Sequence, residues 1–147
     1  MIRIVIGSEP RLVCVLRTVA RHCSQQAGFP QAEAEHIALA IGEAAANIIG
    51  HTYRGDLHAL LALEVRRFPD RLEFVMQDWG PKVREDQIRP RSLDELRPGG
   101  LGTLFINSFM DACRYDPDCR EGNRLKLVKF LSRKDACCNE GPGSASR

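Results

Sequence analysis

The chain lacks any apolar run approaching the roughly 20 residues that a bilayer-spanning helix needs. Its six cysteines form no C-x-x-C pair, and no histidine stands at zinc-finger spacing from them. That argues against a structural metal or a dithiol redox centre, and free thiols in a reducing compartment are expected. A G-x-x-x-x-G-K-[ST] motif is absent, which excludes a P-loop. Charge of one sign is missing too: 21 basic against 19 acidic residues give a formal charge of +2. So small an excess, with its arginines spread along the chain, gives no case for nucleic acid or a membrane surface. The start, Met1 to Ser8, is too short and too alternating for a signal peptide, so a cytoplasmic address is expected. There is no internal repeat and only one tryptophan, Trp79.

What is present suits a single soluble domain. A chain of 147 residues should bury roughly 70% of its unfolded surface. Hydrophobic residues at 44% and charged residues at 27% are ordinary for such a domain.

Ile2, Ile4 and Ile6 alternate as in a strand. Ser8 is placed to cap a following helix, with Pro10 in its first turn. Leu12, Val15, Leu16 and Val19 then recur at helical spacing to about Gln26, and Gly28-Phe29-Pro30 breaks the pattern. Cys14 and Cys23 fall within that helix and read as small hydrophobes. A second helix starts near Gln31, with Ala34, Ile37, Ala38, Ile41, Ala45 and Ile48 as its apolar stripe. Two alternating runs, Leu57 to Arg67 and Arg71 to Gln77, flank Phe68-Pro69-Asp70 and predict an antiparallel hairpin. Residues 79–98 read as a long loop, and Gly102 to Ala112 as a short helix. A strand at Cys113 to Tyr115, a turn at Gly122-Asn123 and a last strand at Leu125 to Leu131 follow. Residues 1–131 are expected to form the domain, and 132–147 a disordered tail.

Three segments carry chemistry. Glu43 and Asn47 lie four residues apart among alanines, so both project from one helix face. A carboxylate there can take a proton from a hydroxyl, and a carboxamide oxygen suits Mg²⁺ held between phosphates. An exposed pair on a wet helix face would look the same. Asp78 ends an apolar strand on the side shared by Phe74 and Met76, just before Gly80. Such a carboxylate needs a partner, and the exocyclic amine of adenine is one; an Asx turn is the other reading. Gly99-Gly100-Leu101-Gly102 runs into a helix, whose first N–H groups favour phosphate. A plain hinge has the same composition.

In this order the segments resemble the histidine-kinase-like ATPase superfamily shared by gyrase and sensor kinases, and most of all the bacterial anti-sigma-factor serine kinases. The matching stretches are Ala38 to Asn47 with His51-Thr52-Tyr53, then Asp78 to Pro81, then Gly99 to Asp111, and finally Gly122 to Leu127. The resemblance implies a two-layer α/β sandwich, an α+β fold with helices on one face of a mixed, mostly antiparallel sheet. It implies Glu43 as general base, Asn47 as the Mg²⁺ ligand and Asp78 as the adenine contact, with Gly80 lining the base pocket. Gly99, Gly100, Leu101 and Gly102, with Thr103 nearby, would wrap the phosphates of ATP or ADP, and residues 81–98 would form a lid. Lys82 departs from the D-x-G-x-G pattern of many members; Pro81 is familiar in the serine-kinase branch.

The expected function is therefore an ATP-dependent serine/threonine kinase that phosphorylates a small antagonist protein and sequesters a regulatory partner such as a sigma factor. A homodimer is implied, and no direct contact with nucleic acid. No dimerising helical hairpin and no transducer domain is recognisable, so action through a protein partner is expected. A nucleotide-gated binding module without catalysis is the alternative, and a thiol-based redox or metal protein the more distant one.

Overall fold

Among the described residues, alternation and helical spacing become five strands and three helices. The computed structural model describes residues 1–83 and 101–132, with the backbone alone for 101–104. Most of the expected lid, together with Gly99, Gly100 and the expected tail after Ser132, lies outside the described residues. Strand β1 (Ile2–Gly7) leads through a short 3-10 turn (Pro10–Leu12) into α1 (Val13–Ala27). Helix α2 (Gln31–Asn47) runs on into one wide π turn (Ile48–Thr52). The hairpin β2 (Leu60–Arg67) and β3 (Arg71–Asp78) follows, then α3 (Leu101–Phe109), β4 (Ala112–Tyr115) and β5 (Asn123–Phe130). The sheet order is β1-β2-β3-β5-β4. Each of these neighbouring pairs is antiparallel.

The core lies between the sheet and the helices. Leu61, Leu63 and Val65 of β2 share one face with Phe74 and Met76 of β3 and Leu125 and Leu127 of β5. Leu16 of α1, Ile37 and Ile41 of α2 and Ile106 of α3 pack on them. Full burial of each such side chain stabilises by about 1.5–3 kcal/mol. All six residues of the expected α2 stripe are buried. Helix α1 stops at Gly28, whose φ of 107° suits only glycine. There the Gly28 N–H donates to Gln25 O and the Phe29 N–H to Ser24 O, each at 3.1 Å. Among the described residues no helix is long and apolar enough to cross a membrane.

Two local expectations are corrected. Ser8 does not cap a helix. Its N–H donates to Ala59 O at 2.9 Å, which extends the β1–β2 ladder by one residue. Its hydroxyl, fully buried, donates to the Asp56 carbonyl. Cys14 is not a packed hydrophobe: it is exposed on the first turn of α1, with its thiol on Arg11 O at 3.0 Å. Cys23 does pack against the core.

The opposite face of the sheet is polar. Glu73 is buried there, taking Arg71 Nε at 2.9 Å and Lys126 Nζ at 2.8 Å. Burial alone would raise its carboxyl pKa; the Lys126 and Arg71 donors outweigh that and hold it below the ordinary range.

Candidate functional site

Helix α2 presents Glu43 and Asn47 one turn apart, each half-buried. The neighbouring Ala44 and Ala45 are buried in the core. Among the described residues neither Glu43 nor Asn47 makes a side-chain hydrogen bond or ion pair. Both remain uncommitted.

Asp78 ends β3 opposite Leu61 of β2 and Asn123 of β5. The alternation of β3 turns it to the face covered by the helices, where it is 1% exposed. The Gly80 N–H donates to its Oδ1 at 3.0 Å, and Asn123 Nδ2 donates to the same oxygen at 2.9 Å. Burial pushes the Asp78 carboxyl above its ordinary pKa; Asn123, Gly80 and the Lys82 ammonium offset that only in part. The Asx turn is real, since Oδ1 closes it. Among the described residues Oδ2 receives no donor. No buried side-chain polar atom among the described residues lacks a partner, so Oδ2 keeps access to solvent, where an amino group fits it.

Gly80 has a packing reason for lacking a side chain. A Cβ there would stand 2.3 Å from Thr52 Cγ2 and 3.2 Å from Tyr53 Cε1. With Thr52, Tyr53, Trp79 and Pro81 it lines a cavity of about 410 Å³. The side chains of Glu43, Asn47 and Asp78 are not in that lining. The cavity backs the 79–81 turn, while the three polar groups belong to the helix-covered side of the sheet.

Leu101, Gly102 and Thr103 form the first turn of α3. The helix is docked on α2 by aromatic stacking: the rings of His36 and Phe109 lie 4.3 Å apart and 2° from parallel. The C-terminal end of α3 is thus tied to the helix that carries Glu43 and Asn47. Backbone N–H groups at such a start favour phosphate oxygens.

Three residues with no assigned role in the sequence hold the site together. The Tyr53 hydroxyl accepts from Trp79 N at 2.9 Å and donates to Leu60 O. Asn123, 5% exposed, bonds Asp78, Pro81 O and Val83 N. Gly122 has a φ of 63°, and a Cβ there would fall 1.8 Å from Asp78 O. A glycine-asparagine pair opening a strand was the available signal for the last two, but its partner lies 45 residues away in the chain.

The uncommitted groups suit a magnesium nucleotide: a buried acceptor for the base, a neutral oxygen ligand for the ion, and helix amides for phosphate. A family model described as the histidine kinase-like ATPase domain matches residues 6–129. The chain is 27% identical over 142 residues to the serine-protein kinase RsbW of Halalkalibacterium halodurans, covering 91% of this chain and 85% of the relative. The RsbW serine-protein kinase of Bacillus subtilis is 25% identical over 135 residues, covering 86% and 83%. That of Listeria monocytogenes is 26% identical over 137 residues, covering 88% and 86%. Among solved structures, the histidine kinase domain of a blue-light activated histidine kinase from Erythrobacter litoralis superposes with a TM-score of 0.51 at 13% identity. That match covers 84% of this chain and 60% of the other, and the likeness is one of fold.

Proposed function

The chain belongs to the histidine kinase-like ATPase family, and on that footing we propose that it is an ATP-dependent serine/threonine protein kinase of the anti-sigma type. The observation that carries the nucleotide part is Asp78: a buried carboxylate whose two donors both occupy Oδ1. Its Oδ2 accepts the exocyclic amine of adenine, and Gly80 shapes the turn beside the base. Asn47 supplies the protein oxygen for Mg²⁺. Gly99, Gly100, Leu101, Gly102 and Thr103 cradle the phosphates, with the start of α3 aimed at negative charge.

The kinase part rests on Glu43 and on the serine-protein kinases among the relatives. A serine hydroxyl of a bound protein attacks the γ-phosphorus, the bond to the β-phosphate oxygen breaks, and ADP leaves. Glu43 takes the hydroxyl proton, a role open to an uncommitted carboxylate. Mg²⁺, when bound, supplies charge neutralisation at the phosphates. The substrate is a small antagonist protein; a sigma factor is the partner held in its absence, and the working unit is a homodimer.

The test uses purified protein, labelled ATP and candidate antagonists encoded beside it. Label transfer to one candidate, lost in Glu43→Ala, supports the kinase. Tight ATP binding with no transfer to any candidate leaves a nucleotide-gated binding module and overturns the catalytic reading.

A further inference from the structure

All three described helices pack on one side of the sheet, the side of Leu63, Phe74 and Leu127. Strand alternation sends the residues between these to the other side. There the register sets Arg3 beside Glu64, Gln77 beside Arg124 and Arg114 beside Lys126. Six bases share that open face, Arg3, Arg66, Arg71, Arg114, Arg124 and Lys126, against two acids, Glu64 and Glu73. Six against two is an excess of four positive charges, on a chain whose total is +2. Asp70 and Asp116 reach Arg71 and Arg124 from flanking turns, and counting both still leaves an excess of two. Among the described residues Arg3 and Arg114 make no ion pair or side-chain hydrogen bond. Arg3 and Arg124, with Glu64 and Gln77, line a recess of about 70 Å³ whose floor is the buried pair Ala62 and Val75. That is about twice a water's share of liquid volume, room for one carboxylate.

We propose that the open face of the sheet docks an acidic segment of a partner protein, one of whose carboxylates seats between Arg3 and Arg124. Guanidinium forks match carboxylates in geometry as well as charge. The chain does not supply this occupant itself. Residues 84–100 carry four acidic and four basic side chains, and residues 133–147 two acidic and three basic. A second copy presenting the same face is repelled by like charge. A nucleic-acid backbone, uniformly negative, meets Glu64 and Glu73 inside the patch, whereas a protein segment can place cations against them. Five strands about 4.8 Å apart make a face of roughly 500–600 Å². That is the per-partner area of a weak, transient contact steered by charge. Glu43, Asn47 and Asp78 lie on the helix-covered side, so a segment docked here leaves them clear. The proposal therefore does not depend on the nucleotide reading.

The experiment titrates the full chain into a labelled oligoglutamate peptide and follows fluorescence anisotropy. Wild type is expected to bind, more weakly as salt rises, and equally with or without Mg-ATP. The double variant Arg3→Glu/Arg124→Glu is expected to lose about tenfold or more in affinity. Arg11→Glu/Arg21→Glu, which removes the same net charge from α1 and the turn before it, keeps the wild-type value. Amide shifts in ¹⁵N-resolved NMR gather on Arg3, Glu64, Gln77 and Arg124. Thermal unfolding shows whether the variants are folded. Arg124 also bonds Gln77 Oε1 at 3.0 Å, so if its variant does not fold, Arg3→Glu/Arg114→Glu carries the same comparison. Wild type that ignores the peptide overturns the proposal, as does equal loss in the two kinds of double variant. Displacement of the peptide by Mg-ATP, or amide shifts gathered on the helices, moves the contact to the other side of the sheet and overturns it too. Tighter binding of a DNA duplex than of the peptide, lost in the same variants, replaces the acidic protein with nucleic acid.

Discussion

The Tyr53 hydroxyl stands between two strands where their ladder would otherwise continue. Asp78 pairs with Leu61, so the next pair outward would be Trp79 with Leu60. Instead the Trp79 N–H donates to Tyr53 Oη at 2.9 Å, and that hydroxyl donates to Leu60 O. The turn after α2 thereby closes the open end of the β2–β3 hairpin and sets the position of Trp79 and Gly80. Tyr53→Phe removes the bridge and leaves a backbone donor and acceptor without it. The expected cost is about 1–2 kcal/mol, seen as a melting temperature lower by roughly 2–8 °C, with weaker nucleotide binding.

Asp78 sets stability against function. Its pKa is raised in the folded state, so the stability it contributes is full at low pH and is lost as pH rises through the folded pKa. Ionised Asp78 is thus a burden on the nucleotide-free protein at neutral pH. Asp78→Asn should raise the neutral-pH melting temperature, by about 2–4 °C for each kcal/mol recovered. It should also abolish ATP binding, because an amide N–H₂ can replace the acceptor that the base needs. Calorimetry of unfolding and of nucleotide binding on the same sample gives both numbers. A variant that still binds ATP with wild-type affinity removes Asp78 from the site.

Trp79 reports on that site cheaply. It is 43% exposed and adjoins Asp78 in the chain. Mg-ATP is expected to change its emission, and Asp78→Asn to remove the change. A flat titration at millimolar ATP with wild type counts against the location of the base pocket.

Glycine replacements should separate by position. Gly122→Ala places a methyl on Asp78 O at a φ of 63° and should destabilise by more than about 3 kcal/mol, or prevent folding. Gly50→Ala has nothing within 4 Å of its new Cβ. It should be neutral or stabilising by about 0.4–1 kcal/mol. Denaturant unfolding of both variants reads the contrast.

Glu73 predicts the acid limb. Its folded pKa is lowered, so its contribution is present above the unfolded carboxyl range and lost as pH falls through the folded pKa. Glu73→Gln should lower the melting temperature at neutral pH and converge on wild type between about pH 5 and 3. Parallel curves over that range would show that the Arg71 and Lys126 contacts do not favour its ionised form.

By itself the sequence determined the elements and their faces. Alternation in β1, β2, β3 and β5, and the stripe from Ala34 to Ile48 in α2, are local patterns of period 2 and 3.6, so each segment carries its own reading. The pairing of Glu43 with Asn47 was legible for the same reason, one helical turn being a local distance. Ser8 departs from its expected role because its partner, Asp56 O, is 48 positions away and chosen by the chain's path, and Cys14 because tertiary packing decides which side of α1 is covered and leaves it exposed. Tertiary structure alone decided how Asp78 is held. Asn123, Gly122 and Tyr53 reach it or its turn from 45, 44 and 25 positions away in the chain. No local pattern encodes which oxygen of a carboxylate receives the donors. Strand register does, because pairing Asp78 with Asn123 brings the amide to Oδ1 and leaves Oδ2 to a ligand.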